Sequence, residues 1–323
     1  MADLGADLRA ERGQILLIAA FAMAVTFVSL ALVVNSAIFT ENLASRGETS
    51  GSDDALVVRH EVQQSVGESI EYANTYNASS DATLTANVTD SVATIRNSVA
   101  NQQASTGKIV AIEGPAGFNH GTRIRDNASA GGSNFTNAST GGTPREDWTV
   151  VSDVDRTRAF TMNLTDAPAS DGFVVNLTAD GSPSTWRMVV TRDTSPTEYT
   201  VTVHRQGTTV GSCTVGDSPE YVRIDLTRGL VGGQPCPHLR YGAGIDDEYD
   251  LHFNNSDAVT GNYSMIVDRD LSPTTPPVNL SGSRADDDPY VTHAIYAADV
   301  IYRYDGPDIT YNTTVRVAPG EPR

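Results

Sequence analysis

From residue 15 to residue 39 the chain reads ILLIAAFAMAVTFVSLALVVNSAIF, 25 positions without a formal charge. As a helix rising ~1.5 Å per residue this run spans about 37 Å, enough to cross a ~30 Å hydrocarbon core with some tilt. A secretory signal has a shorter apolar region that ends at a small-residue cleavage site, and no Ala-x-Ala closes this one. The pattern therefore predicts a transmembrane helix over 15–39. Arg9 and Arg12 precede it and Arg46 follows it. By the positive-inside rule, residues 1–14 are expected in the cytoplasm and the rest of the chain outside, as a single-pass protein of the cell membrane.

Past the apolar run the period changes. Residues 40–106 read as a flexible joint, ENLASRGETSGSDD, followed by two amphipathic helices. Ala55, Val58, Val62, Val66, Ile70 and Ala73 recur three or four apart, the spacing of one helical face, with Asp53 or Asp54 as its cap. Leu84, Val88, Val92, Ile95 and Val99 form a second stripe behind Asp81, and the two helices are expected to pair as a hairpin. Residues 107–147 read as a short strand, KIVAIEG, and a loop rich in Gly, Asn, Ser and Thr. From 148 to 323 alternation of period two dominates, in segments such as FVVNLTAD, TWRMVVTRD and EYTVTVHRQ. Turn signals such as ADGSP and RDTSP separate them. The expected fold class is α+β: a transmembrane helix, an amphipathic helical segment, then a β-rich extracellular domain built as an antiparallel sheet or sandwich.

Charge narrows the partners. The chain has a formal net charge of −18, and of its 22 basic residues only Lys108 is lysine. So acidic a surface suits concentrated salt, where carboxylate repulsion is screened. It argues against nucleic acid, which needs a basic footprint. Eleven asparagines begin an Asn-x-Ser/Thr sequon: Asn77, Asn87, Asn127, Asn134, Asn137, Asn163, Asn176, Asn254, Asn262, Asn279 and Asn312. All follow the apolar run, and they mark candidate N-glycosylation sites on an external body. Cys213 and Cys236 are the only cysteines. In an oxidising compartment they read as one disulfide; two free thiols are the alternative. His238 stands near Cys236, but no second cysteine pair supports a metal site there.

Candidate chemistry is sparse. His60, His120, His204, His238, His252 and His293 show no metal-ligand spacing in sequence, and no nucleophile elbow, phosphate loop or dinucleotide fingerprint is present. The acidic clusters at 246–248 and 286–289 offer hard oxygens for Ca²⁺, yet lack the spacing of a helix–loop–helix calcium site and read as solvated loops. No catalytic residue, cofactor, metal ligand or small-molecule substrate is assigned, and no enzymatic activity is expected.

The segment from Glu11, ERGQ, then the apolar helix, then VVNSAIFTENLASR, resembles the N-terminus of archaellins and type IV pilin-like proteins. More narrowly, the layout looks like an uncharacterised haloarchaeal family of single-span pilin-like membrane proteins. The resemblance implies a leader cut by a prepilin peptidase between Gly13 and Gln14, and a helix that first anchors the subunit and then packs into a filament core. Ile18 stands where many type IV pilins carry a docking glutamate. The expected partners are the lipid bilayer, a prepilin peptidase and other pilin-like subunits. The functional expectation is an externally displayed subunit or accessory of a surface filament or secretion system. A non-polymerising anchored module that binds a glycan, cell-wall or surface-layer partner is the alternative.

Overall fold

The computed structural model describes residues 4–127, 133–138, 143–181, 184–194, 197–216, 221–285, 287–307 and 309–322, with the backbone alone over 4–20 and 37–51. Two α-helices come first, α1 (Leu4–Tyr76) and α2 (Asp81–Ala104). Fifteen strands follow: β1 (Ile109–Asp126), β2 (Ser133–Asn134), β3 (Trp148–Val154), β4 (Thr157–Asp166), β5 (Phe173–Ala179), β6 (Thr185–Thr194), β7 (Thr197–Arg205), β8 (Thr208–Gly216), β9 (Val222–Asp225), β10 (Leu230–Val231), β11 (Gln234–Pro235), β12 (Tyr249–Asn254), β13 (Thr260–Val267), β14 (Tyr290–Asp305) and β15 (Thr310–Val317). A 3-10 turn, Ser256–Ala258, lies before β13.

The strands form two sheets. The larger runs β11-β10-β9-β4-β13-β1-β14-β15, with β2 beside β13, and the smaller runs β3-β12-β5-β6-β7-β8. One core lies between the sheets, where Phe160, Met162, Ile224, Tyr263 and Met265 of the larger meet Phe173, Trp186, Met188, Tyr199 and Phe253 of the smaller. A second core lies on the other half of the larger sheet, under the helices. There Val62, Val66, Ile70, Leu84 and Val88 pack on Val110, Ile112, Val300, Tyr302, Val315 and Val317. All six stripe residues of α1, from Ala55 to Ala73, are buried, as are Leu84, Val88 and Val92 of α2; Ile95 and Val99 pack against the same core half-buried.

Strands β1 and β14 are long enough to serve both cores. Ile124 and Val291 enter the first, and Val110, Ile112, Ile295 and Val300 enter the second. Their pairing slips twice, between Glu113 and Gly117 and between Asn119 and His120. At the second slip the side-chain amide of Asn74 takes the place of a strand. Its Nδ2 donates to the Ile295 carbonyl (2.9 Å) and its Oδ1 accepts from the Ile295 N–H (2.8 Å). A Cβ on Gly121 would stand 2.2 Å from the Val267 carbonyl oxygen, so only glycine allows β1 and β13 to approach so closely there.

Several expectations change. The fold is mostly β, not α+β with a transmembrane helix. Side chains within 15–39 are described only over 21–36, sixteen residues. Among the described residues no helix is long and apolar enough to cross a membrane. The expected single-pass location in the cell membrane, with a cytoplasmic N-terminus and an extracellular C-terminal domain, is withdrawn with it. The expected joint after residue 39 is unbroken α1 backbone, so neither Asp53 nor Asp54 caps a helix. Ser80, not Asp81, caps α2, its Oγ accepting from Thr83 N–H at 3.2 Å. Strand β1 continues to Asp126, through residues whose Gly and Pro content suggests a loop.

Arg158 of β4 is wholly buried and ties the helices to the sheet. Its guanidinium pairs with Glu71 of α1 and donates to the carbonyls of Pro319 (2.7 Å) and Ile295 (2.8 Å). Breaking a buried ion pair by removing one partner costs about 3–5 kcal/mol, and here Arg158 is the buried partner while Glu71 is part-exposed. Arg158→Ala is expected to lower unfolding free energy by about that much, read from urea denaturation with tyrosine fluorescence; a loss below ~1 kcal/mol would show that the contact carries little.

Candidate functional site

The largest exposed apolar feature is the stem of α1. Every described side chain over 21–36 is exposed, including Phe21, Met23, Phe27, Val28, Leu30, Leu32 and Val33. Between Phe21 and Val34 there are two hydroxyls, on one side, and both are satisfied within the helix. Thr26 Oγ1 donates to the carbonyls of Met23 (2.8 Å) and Ala22 (3.1 Å), and Ser29 Oγ donates to that of Val25 (2.8 Å). Ala22, Thr26 and Ser29 therefore make a face of small residues whose polar atoms seek no outside partner. A helix apolar on all sides is one that packs on all sides. The bond between Gly13 and Gln14, the expected leader cut, is helical backbone of α1 whose side chains lie outside the described residues.

A groove of about 810 Å³ runs between α1 and the C-terminal segment, lined by His60, Gln64, Glu68, Glu71, Arg316 and Pro319 among others. Glu321 closes one end. It accepts two hydrogen bonds from the Arg316 guanidinium (2.6 and 3.2 Å) and one from the Tyr296 hydroxyl (2.9 Å). Burial pushes its carboxyl up, but the bonds from Arg316 and Tyr296 outweigh burial, so it titrates below its ordinary value. A smaller cavity of about 230 Å³ nearby holds Thr157, Tyr241 and Tyr249. Burial raises Tyr249 to about 12, so it is a neutral phenol at physiological pH, and its hydroxyl shares a 2.7 Å hydrogen bond with Thr157.

The histidines, unconnected in sequence, are not all unconnected in space. On β1 and β14 the register sets His120 opposite Ile295 and Thr122 opposite His293. Both imidazoles thus project from the helix-covered face, where α2 begins. Asp81 Oδ1 lies 3.0 Å from His293 Nδ1 and 3.5 Å from His120 Nδ1. Asp270 joins from the loop after β13, which Thr122 holds by accepting the Leu271 N–H at 2.6 Å. One ligand atom each from Asp81, Asp270 and His293 lie within 4.8 Å of one another. Sequence reasoning missed this group because strand register, not sequence spacing, assembles it. Of the other histidines, His252 contacts Thr149, His204 contacts Thr209, His238 packs on Gly211, and His60 lines the groove.

Cys213 and Cys236 are disulfide-bonded. The bond joins β8, at the edge of the smaller sheet, to the segment just after β11, at the edge of the larger. It clips two edges that would otherwise present free ladders. The eleven sequon asparagines divide by environment. Asn134 and Asn312 are exposed, whereas Asn137 is buried. Asn137 Oδ1 accepts from Arg145 N–H (2.6 Å), and its amide nitrogen donates to Asn279 (3.4 Å). Asn279 in turn donates to the Thr149 carbonyl, Asn163 to Asn262, Asn176 to Thr178, Asn254 to Asp147 and Asn127 to Tyr290. The nitrogen a glycan would take is therefore engaged in six of the eleven. Asn77, Asn87 and Asn262 are half-buried. Of the acidic clusters, Asp246, Asp247 and Glu248 are exposed. Asp286 lies outside the described residues, and burial raises the Asp288 carboxyl.

The depressed Glu321 carboxyl stabilises the fold at any pH above the unfolded-state value, and that contribution is lost as pH falls through the lower folded value. Glu321→Gln is accordingly expected to reduce thermal stability at neutral pH and to make its decline in acid shallower, as followed by circular dichroism. Parallel pH profiles for both proteins would contradict this role.

A model of a family of unknown function (DUF7261) matches residues 9–153. That match spans α1 from residue 9, α2, β1, β2 and most of β3, less than half of the 323 residues. No curated protein and no solved structure matches the chain.

Proposed function

We propose that this chain is a structural subunit or accessory of a pilin-like filament or secretion assembly. The apolar stem of α1 packs against stems of further copies, and the acidic β head covers the assembly. The observation that carries this reading is that all described side chains over 21–36 are exposed and that from Phe21 to Val34 they are apolar save Thr26 and Ser29, whose hydroxyls bond within the helix. A single neighbour covers one face of a helix. Covering all faces takes several, as in a bundle of stems, and small residues let such helices approach closely. The net charge of −18 keeps heads apart and soluble while stems associate. In this reading a prepilin peptidase removes residues 1–13, which takes Arg9 and Arg12 out of the packed region.

The second reading is a non-polymerising module that binds a glycan, cell-wall or surface-layer partner. The groove beside α1 favours it, since about 810 Å³ falls within the ~300–1,000 Å³ of small-ligand sites.

Assembly separates the two. Sedimentation and negative-stain microscopy of the purified chain are expected to show filaments or large oligomers. Leu32→Arg should raise the concentration needed for assembly at least ~tenfold, because an unpaired charge buried among stems costs more than the ~1.4 kcal/mol of one decade. The head's thermal transition should be unchanged. Wild-type chains that stay single, or Leu32→Arg chains that assemble equally well, would overturn the filament reading.

A further inference from the structure

The group at the start of α2 has the composition of a metal site rather than of a surface ion pair. Asp81, Asp270 and His293 converge from three elements, and His120, from a fourth, reaches Asp81. Asp81 is the first residue of α2 behind its Ser80 cap, His120 belongs to β1, His293 to β14, and Asp270 to the loop pinned by Thr122. The 3.0 and 3.5 Å separations from Asp81 Oδ1 to the two Nδ1 atoms bracket the ~3.3 Å edge of a tetrahedron with ~2.0–2.1 Å metal–ligand bonds. Asp270 lies within 4.8 Å of Asp81 and His293 and is exposed, so its side chain is free to close the remaining gap.

A second observation points the same way. His120 Nδ1 is buried and has no hydrogen-bond partner. A buried donor or acceptor left unmet costs about 1–3 kcal/mol. A ligand placed between His120, His293 and Asp81 would engage that atom.

We propose that Asp81, Asp270, His293 and His120 bind one divalent transition-metal ion of the Zn²⁺ type. Two carboxylates balance the ion's charge and two neutral imidazoles complete a four-donor set. Hard cations are disfavoured here. Ca²⁺ takes six to eight oxygens and Mg²⁺ an octahedron of them, whereas half of these donors are nitrogen. The positive end of the α2 dipole adjoins the site, so a cation held by charge alone would be repelled. The imidazole Nδ1 atoms would bond the metal with their protons on Nε2. The bound ion would staple the N-terminus of α2 to β1 and β14, under the second core.

The test uses the full chain, stripped with a chelator and titrated with ZnCl₂ by calorimetry, then with CoCl₂ by visible absorption. One ion per chain is expected, with the intense visible bands of four-coordinate Co²⁺ and with no displacement by excess CaCl₂ or MgCl₂. Asp270→Asn, at an exposed position that leaves the cores intact, and His293→Ala should each weaken Zn²⁺ binding at least ~10–100-fold. His204→Ala, on the distant β7, should leave it unchanged. No binding, or wild-type affinity retained in either site variant, overturns the assignment.

Discussion

Two paired strands carry the whole molecule. β1 and β14 contribute one end to the core between the sheets and the other to the core beneath the helices. Neither half can form without the same ladder. That double duty explains the local departures from regularity. The pairing must slip where the sheet leaves one core for the other, and a slip exposes backbone groups that a buried site cannot leave unmet. Asn74 supplies the missing partner for Ile295, and Arg158 adds a second donor to the same carbonyl. The join between helices and sheet thus includes a polar group in which Asn74 and Arg158 both bond Ile295 at the bulge.

The same helix that delivers Asn74 and Glu71 to that network continues far beyond it. α1 has 73 residues, and its last third packs on the core while the described side chains over 21–36 are exposed. Burial of the stripe from Ala55 to Ala73 fixes the direction of the helix, and so fixes where the uncovered stem points. A rigid attitude of stem to head is what a repeating assembly requires, since a closed or helical array repeats only one geometry of contact. The disulfide from Cys213 to Cys236 serves the opposite end of the head, closing sheet edges that could otherwise pair with a neighbour's strands.

Much of this was legible before any coordinates. The valine stripe of α1 and the stripe of α2 follow from a 3.6-residue period, and each of the six α1 positions is buried. Alternating segments such as FVVNLTAD and EYTVTVHRQ are β5 and β7, because a sheet with one buried face writes its period into the sequence. Legibility failed where tertiary contact overrides local preference. Residues 115–126 carry Pro115, Gly117 and Gly121, which read as loop, yet they are strand: the proline sits at a register slip and Gly121 at a close crossing with β13. The expected membrane helix is not found, since among the described residues no helix is long and apolar enough to cross a membrane. The histidine–aspartate group could not be read at all, since its members lie up to 212 positions apart and only register unites them.

The central claim is that α1 is one helix, clamped along 55–73 and bare along 21–36. Hydrogen–deuterium exchange resolved by segment measures it directly, on dispersed and on concentrated protein. The account predicts that amides over 55–73 exchange as slowly as those of β14 in both samples, while those over 21–36 exchange fast when dispersed and become protected on concentration. Fast exchange over 55–73, or a stem whose protection does not change with concentration, would contradict it.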